Sequence, residues 1–209
     1  MEPVVAGKFK GEVKQGGSVN FKNVTFNPHG NGTHTECVGH ITREAQSVNR
    51  SLERYFFFAL LVSVKPDVMG NGDRVVMPAA FKELFMPGDG VEAVVVRTLP
   101  NTAEKRSADY SGTNPAYFHH EVLAYLSAAG VHHFLTDLPS VDRESDGGLL
   151  LSHKAFWGLP DRCLEHKTIT ELIYVPEGLK DGFYLLELQV APFELDAAPS
   201  RPVLYEVEF

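Results

Sequence analysis

His29-Gly30-Asn31-Gly32-Thr33-His34-Thr35-Glu36-Cys37-Val38-Gly39-His40 packs three histidines and a carboxylate into one short stretch broken by glycines. Neutral imidazole and carboxylate are the usual protein ligands of zinc and manganese, and glycine lets a backbone bend until several side chains converge. The glycines also argue against a regular helix, so the stretch reads as a loop or a strand end. In an extended segment successive side chains alternate faces. His34, Glu36 and His40 would then share one face, with Thr33, Thr35 and Cys37 on the other. Two imidazoles and a carboxylate on one face outline a metal or acid–base site. The spacing alone leaves a second reading equally open, that of exposed histidines in a glycine loop.

The rest of the composition restricts the setting. The chain has 209 residues, 44% of them hydrophobic, enough for one sizeable core in a single domain, 1–209. The formal net charge of −8 does not suggest a nucleic-acid surface. Cys37 and Cys163 lie far apart and make neither a disulfide framework nor a zinc knuckle, which fits a reducing cytoplasm. The segment Met1–Lys8 lacks a basic region followed by a long apolar core, so no secretory signal is read there. The most apolar run, Tyr55 to Val64, is too short to span a bilayer. A cytoplasmic protein without membrane or nucleic-acid partners is expected.

Around the histidine stretch the pattern alternates strand-like and helix-like segments. Lys8 to Phe26, broken at Gly16-Gly17, reads as a β-hairpin pairing Gly11–Lys14 with Ser18–Val24. Ile41 to Leu52 reads as loop or short helix. Tyr55 to Val64 and Val91 to Arg97 are apolar runs of strand length with both faces buried. Met69 to Asp73 is a turn, and Pro78 to Phe85 a short helix opened by proline. Thr98 to Asn114 is long, polar and without period, the kind of loop that often carries function. Pro115 to Ala129 has helical spacing, with Phe118, Val122, Tyr125, Leu126 and Ala129 on one face, Asn114 as its cap and Gly130 as its stop. Val131 to Leu135 is a strand, Lys154 to Gly158 a short helix, and Thr168–Val175, Gly182–Val190 and Pro202–Phe209 three late strands. In the second of these Tyr184, Leu186, Leu188 and Val190 form the apolar side. Strand-dominated order with one long helix indicates a mixed α/β domain.

Downstream, Asp137-Leu138-Pro139-Ser140-Val141-Asp142 reads by itself as a turn after a strand. Asp142, Glu144 and Asp146-Gly147 mimic the opening of a calcium loop, but the final ligand position falls on His153 instead of glutamate, which rejects calcium. Ser140 with a histidine and an aspartate could form a hydrolase triad, yet no Gly-x-Ser-x-Gly elbow surrounds it. Tyr110, Tyr117, Phe118, Phe156 and Trp157 could wall a pocket for a flat substrate or could be ordinary core.

Gly32-Thr33-His34-Thr35-Glu36 followed by His40 resembles the motif of the metal-dependent cyclase family, His-x-Gly-Thr-His-x-Asp-x-Pro-x-His, whose members include kynurenine formamidase-like and isatin hydrolase-like enzymes. Glu36 stands where that motif has Asp, Val38 where it has Pro, and Gly30 where it has its first histidine, with His29 one residue earlier. The likeness continues through Asp137, Pro139, Ser140 and Asp142 to His153 and Glu171. It implies a barrel-like mixed sheet with few flanking helices, of the swivelling β/β/α type. It also implies a site for one or two divalent ions, zinc or manganese, with His34, Glu36, His153, Glu171 and His29 as ligands and Glu36 as the bridge. His40 would be the catalytic acid–base. The implied partners are a small cyclic or aryl (form)amide substrate and a second copy of the chain, in a homodimer or homotetramer. The displaced first histidine keeps a degenerate, non-catalytic binding protein as the alternative.

Overall fold

A computed structural model describes residues 1–82 and 90–207. The chain divides into two compact units, Met1–Asn31 and a second beginning at Gly32. In the first, short antiparallel pairs join Glu2–Pro3 to Lys22–Asn23 and Val5–Ala6 to Phe9–Lys10. The expected pairing of Gly11–Lys14 with Ser18–Val24 is not what forms. Val13–Gln15 winds into a 3-10 turn closed by Gly16 at φ 83°, and Gly11 is held between two other backbones. Its N–H reaches Val4 O at 2.8 Å, and its O receives Phe21 N–H at 2.9 Å. A Cβ at Gly11 would run into the Phe21 carbonyl, so only glycine fits there.

The second unit is an α/β structure built on a curled eight-stranded half-barrel sheet with few helices. Its strands are β1 (His34–Glu36), β2 (Phe56–Val64), β3 (Ala93–Thr98), β4 (His133–Thr136), β5 (Thr168–Glu171), β6 (Gly182–Glu187), β7 (Ala197–Pro199) and β8 (Val203–Glu206). Their order is β7-β1-β5-β4-β3-β2-β6-β8. The four central strands, β5-β4-β3-β2, are parallel, and the pairs outside them are antiparallel. A parallel core is covered on both faces, which is why β2 and β3 read as continuous apolar runs. On β2, Leu60, Val62 and Val64 enter one core with Val94 and Val96, while Phe57, Ala59 and Leu61 enter a second core with Val95 and Leu135.

Two helices cover the first core. Helix α1 (His120–Ala128) buries Val122, Leu123 and Leu126, and α2 (Leu151–Trp157) buries Phe156 and Trp157. Helix α1 starts later than its spacing predicts. Tyr117–Phe118 pairs in parallel with Val75–Val76. Asn114 is not a cap, because its side chain donates to Asp73 at 2.9 Å. The cap is His119, whose ring accepts the Glu121 N–H. The buried Lys167 ammonium caps the other end of α1, donating to Ser127 O and Val131 O, and burial pulls its pKa down to about 8. Helix α2 begins three residues before the expected Lys154, on Leu150 in the left-handed region, whose N–H donates to Asp146. The short helix at Pro78 runs to Lys82, and the rest of its expected span, to Phe85, lies outside the described residues. The last expected strand forms over Val203–Glu206, with Glu208 and Phe209 also outside the description. Among the described residues no helix is long and apolar enough to cross a membrane.

The second core holds one titratable group with a measurable consequence. His133 is 3% exposed, its Nδ1 lies 2.9 Å from Thr168 Oγ1, and its ring packs on Phe57. Burial, with the neighbouring His132 and Arg54 charges, pushes its pKa down to about 3. The unfolded chain therefore binds a proton below pH ~6.5 that the folded chain refuses. Stability is full above that value and falls as the pH drops toward 3, by up to about 1.4 kcal/mol per pH unit. Urea melts of His133→Gln, which keeps a partner for Thr168, should show a shallower acid slope than the parent across that window. Identical slopes would refute the assignment.

Candidate metal centre

The central element is β1, and its neighbours explain why it holds a site. It lies between β5 and β7, with Glu171 opposite His34 and Ile169 opposite Glu36 on one side, and Ala197 opposite Glu36 on the other. Strand alternation sends His34, Glu36 and Glu171 to the face covered by α2, and Thr35 and Thr170 to the opposite face, where their hydroxyls meet at 2.8 Å. Gly32, at φ 136°, turns its carbonyl back to His34 Nδ1 at 2.9 Å. That contact fixes the Nδ1–H tautomer in the neutral ring and directs Nε2 toward Glu171.

Helix α2 brings the remaining imidazole. His153 is 2% exposed and lies between carboxylates, with Nδ1 2.6 Å from Asp142 Oδ2 and Nε2 3.0 Å from Glu36 Oε1 and 3.9 Å from Glu171 Oε1. His34 Nε2 lies 3.5 Å from Glu171 Oε2. The other Glu171 oxygen accepts the Val141 N–H at 2.9 Å. Burial opposes a charge on His153, but Asp142, Glu36 and Glu171 overcome it and raise the pKa to about 10. Burial likewise opposes charge on His34, and Glu171, Gly32 and Glu36 outweigh it, raising that pKa too. The field in this pocket strongly favours a cation.

His40 reaches the same place by a different route from the one expected. It is not on β1 but at the end of a 3-10 turn, Val38–His40. That turn directs Nε2 to within 3.7 Å of Glu36 Oε2 and Nδ1 to within 3.4 Å of Asp196 Oδ2, with about a third of the side chain exposed. Glu36, His40 and His153 each offer a donor atom, and the three atoms lie within 4.8 Å of one another. Two imidazoles and a carboxylate match the donor chemistry of zinc or manganese. The structure thus brings His34, Glu36, His40, His153 and Glu171 into one cluster. His29 belongs to the first unit, on a turn where its N–H donates to Asn27 Oδ1 at 3.0 Å.

Two residues that back the cluster were not among the expected site residues, Asp142 against His153 and Asp196 against His40. Asp142 closes the Asp-x-Pro-Ser-x-Asp segment, which could have flagged it. Asp196 sits in a stretch without period or motif, and only the pairing of β7 with β1 brings it near. The other acidic and nucleophilic candidates are engaged elsewhere. Glu144 accepts the N–H groups of Gly112 and Asn114, Asp146 those of Gly148 and Leu150, and Ser140 Oγ that of Asp142. Phe118, Phe156 and Trp157 are core. A further donor group, His119, His120 and Glu121, lies at the start of α1.

The family model Cyclase, described as "Putative cyclase", matches residues 3–143, about two-thirds of the chain. The chain belongs to the cyclase family. The match spans the His34–His40 motif and Asp142 and ends before His153 and Glu171. This cyclase-family chain is 27% identical over 195 residues to a kynurenine formamidase of Bacillus cytotoxicus, covering 91% of this chain and 82% of that protein. Among solved structures it is similar to a potential metal-dependent hydrolase with cyclase activity (TM-score 0.66, 16% identity, 89% of this chain and 83% of the other). It is also similar to isatin hydrolase A from Labrenzia aggregata bound to benzyl benzoate (TM-score 0.64, 14% identity, 96% and 80%). At these identities the structural likeness shows the shared cyclase fold.

Proposed function

We propose that this cyclase-family protein hydrolyses a small cyclic or aryl (form)amide with a divalent ion, zinc or manganese, held by His34, Glu36, His153 and Glu171. The observation that carries the reading is the meeting of the β1 donors with His153 and Glu171, buried together although more than a hundred residues separate them. A bound divalent ion would lower the pKa of water to about 7 and polarise the amide carbonyl. Asp142 and the Gly32 carbonyl hold the rings of His153 and His34 in orientation. His40, at the exposed edge and backed by Asp196, is placed to accept the proton released as water oxygen bonds to the carbonyl carbon. It then returns that proton to the leaving nitrogen as the C–N bond breaks. A cytoplasmic homodimer or homotetramer is part of the same proposal.

Metal analysis of protein purified without added zinc or manganese, with assays on N-formylkynurenine and isatin, tests this. The parent should carry metal and cleave one substrate. His40→Ala should lose at least about 100-fold in kcat, and metal retained by that variant would assign His40 to proton transfer and not to holding the ion. Metal without turnover of either substrate would refute the substrate class and favour a non-catalytic binding protein, a reading that rests on Gly30 at the first-ligand position. Lower metal content in His29→Ala would support His29 as a further ligand.

Asp142→Asn supplies a separate test of positioning. Metal affinity should fall by about 10–100-fold, because His153 loses the carboxylate on its Nδ1. A drop in melting temperature with unchanged metal affinity would make Asp142 merely structural.

A further inference from the structure

A largely apolar hollow of the second unit lies on the face of the sheet opposite the carboxylate–imidazole cluster. Its volume is about 450 Å3, and Val95, Leu135, Ile173 and Leu186 form its floor. Val95, Leu135 and Leu186 belong to the second core, whereas Ile169, in line with Glu36, belongs to the first. The sheet therefore separates this cavity from the cluster. A hollow of this size and lining suits a small organic ligand.

Among the described residues Arg201 is the one charged residue lining the cavity, and it makes no ion pair with them. A second guanidinium, Arg106, lies over the ring of Tyr174, another lining residue, at 5.6 Å. Beside Arg201, Ser200 Oγ accepts a hydrogen bond from Thr35 at 2.9 Å. Thr35 has a single proton, so Thr170 donates in turn to Thr35. Ser200 keeps its own proton, which has no protein acceptor among the described residues. A hydroxyl donor and a guanidinium on adjacent residues, at the edge of an apolar cavity in a chain of net charge −8, form a local reversal of sign.

We propose that this cavity is a second ligand site, taking a compact monocarboxylate with an apolar body. The body fills the space over Leu135 and Leu186, and the carboxylate accepts from Arg201 and Ser200. The proposal does not depend on hydrolytic activity.

The test is isothermal titration of chelator-treated full-length protein, so that no metal captures the carboxylate, with 4-phenylbutyrate and its neutral counterpart 4-phenylbutanol. Saturable binding of the acid is expected, at least about tenfold tighter than the alcohol, the usual scale of one charge-assisted contact. Arg201→Ala should weaken it by about tenfold, and Val203→Trp, on the exposed rim, should block it by filling the cavity. Glu36→Gln, on the other face, should leave it unchanged. No saturable binding, equal affinity for acid and alcohol, indifference to Arg201→Ala, or loss of binding in Glu36→Gln would each overturn the proposal.

Discussion

Replacing Glu36 by Gln is expected to abolish amide hydrolysis, with a loss of at least about 1,000-fold, and to strip most of the metal. The substitution keeps shape and removes charge. Glu36 is fully buried and faces His153 at 3.0 Å and His40 at 3.7 Å, so it is the carboxylate common to both imidazoles. Disturbing the groups behind a metal ligand already costs about 10–100-fold in affinity, and removing a ligand's charge should cost more. A thousandfold rate loss corresponds to about 4 kcal/mol of transition-state stabilisation, the several kcal/mol that a bound ion contributes. Metal content and kcat/KM should fall together while the melting temperature of the chelated protein stays that of a folded chain. A Glu36→Gln protein with full metal and full rate would end the metal-hydrolase reading.

Lys105→Met should produce the largest loss of stability, about 3–5 kcal/mol, through a buried carboxylate left without its cation. Asp137 has a fully buried side chain, accepts the Thr98 N–H and O–H at 2.9 Å each, and lies 2.8 Å from Lys105 Nζ. Burial pushes its pKa up, Lys105 and Thr98 pull it back, and the balance remains raised. A folded pKa above the unfolded one means that this group's contribution is full at low pH and is lost as the pH rises through the folded value. Without Lys105 the folded value moves higher still. The deficit of Lys105→Met should therefore be greatest at neutral pH and shrink on acidification into the carboxylate range. Urea melts of parent and variant at pH ~7 and pH ~5 measure it. A deficit that grows toward acid would contradict the burial argument.

How much of this was legible in the sequence depended on how local each feature is. Phe56–Val64 and Ala93–Thr98 announced themselves as apolar runs because a central parallel strand is covered on both sides. Tyr117–Phe118 and Ala197–Pro199 did not, since strands of two or three residues are fixed by remote partners and carry no period of their own. Asn114 looked like a helix cap and instead holds Asp73. Donor chemistry was local, so the imidazoles and carboxylates could be picked out. The order of the motifs, through the family resemblance, suggested that His153 and Glu171 belong with His34 and Glu36. No spacing rule could have put His40 on a 3-10 turn or Asp196 behind it.

The cluster draws on β1, on α2, on β5 and on the segment leading into β7, so its parts enter the chain at widely separated times. During synthesis the histidine motif emerges well before its opposing carboxylate, which arrives only with Thr168–Glu171, and before the His40 partner, which arrives only with Asp196. Closing loops of that length is entropically costly and slow, and the reward comes only once the distant strands have zipped into register. Competence at this centre is therefore a late event in folding. An ion that bound the assembled cluster alone would act as a latch on the finished chain, favouring it over every incomplete one by mass action.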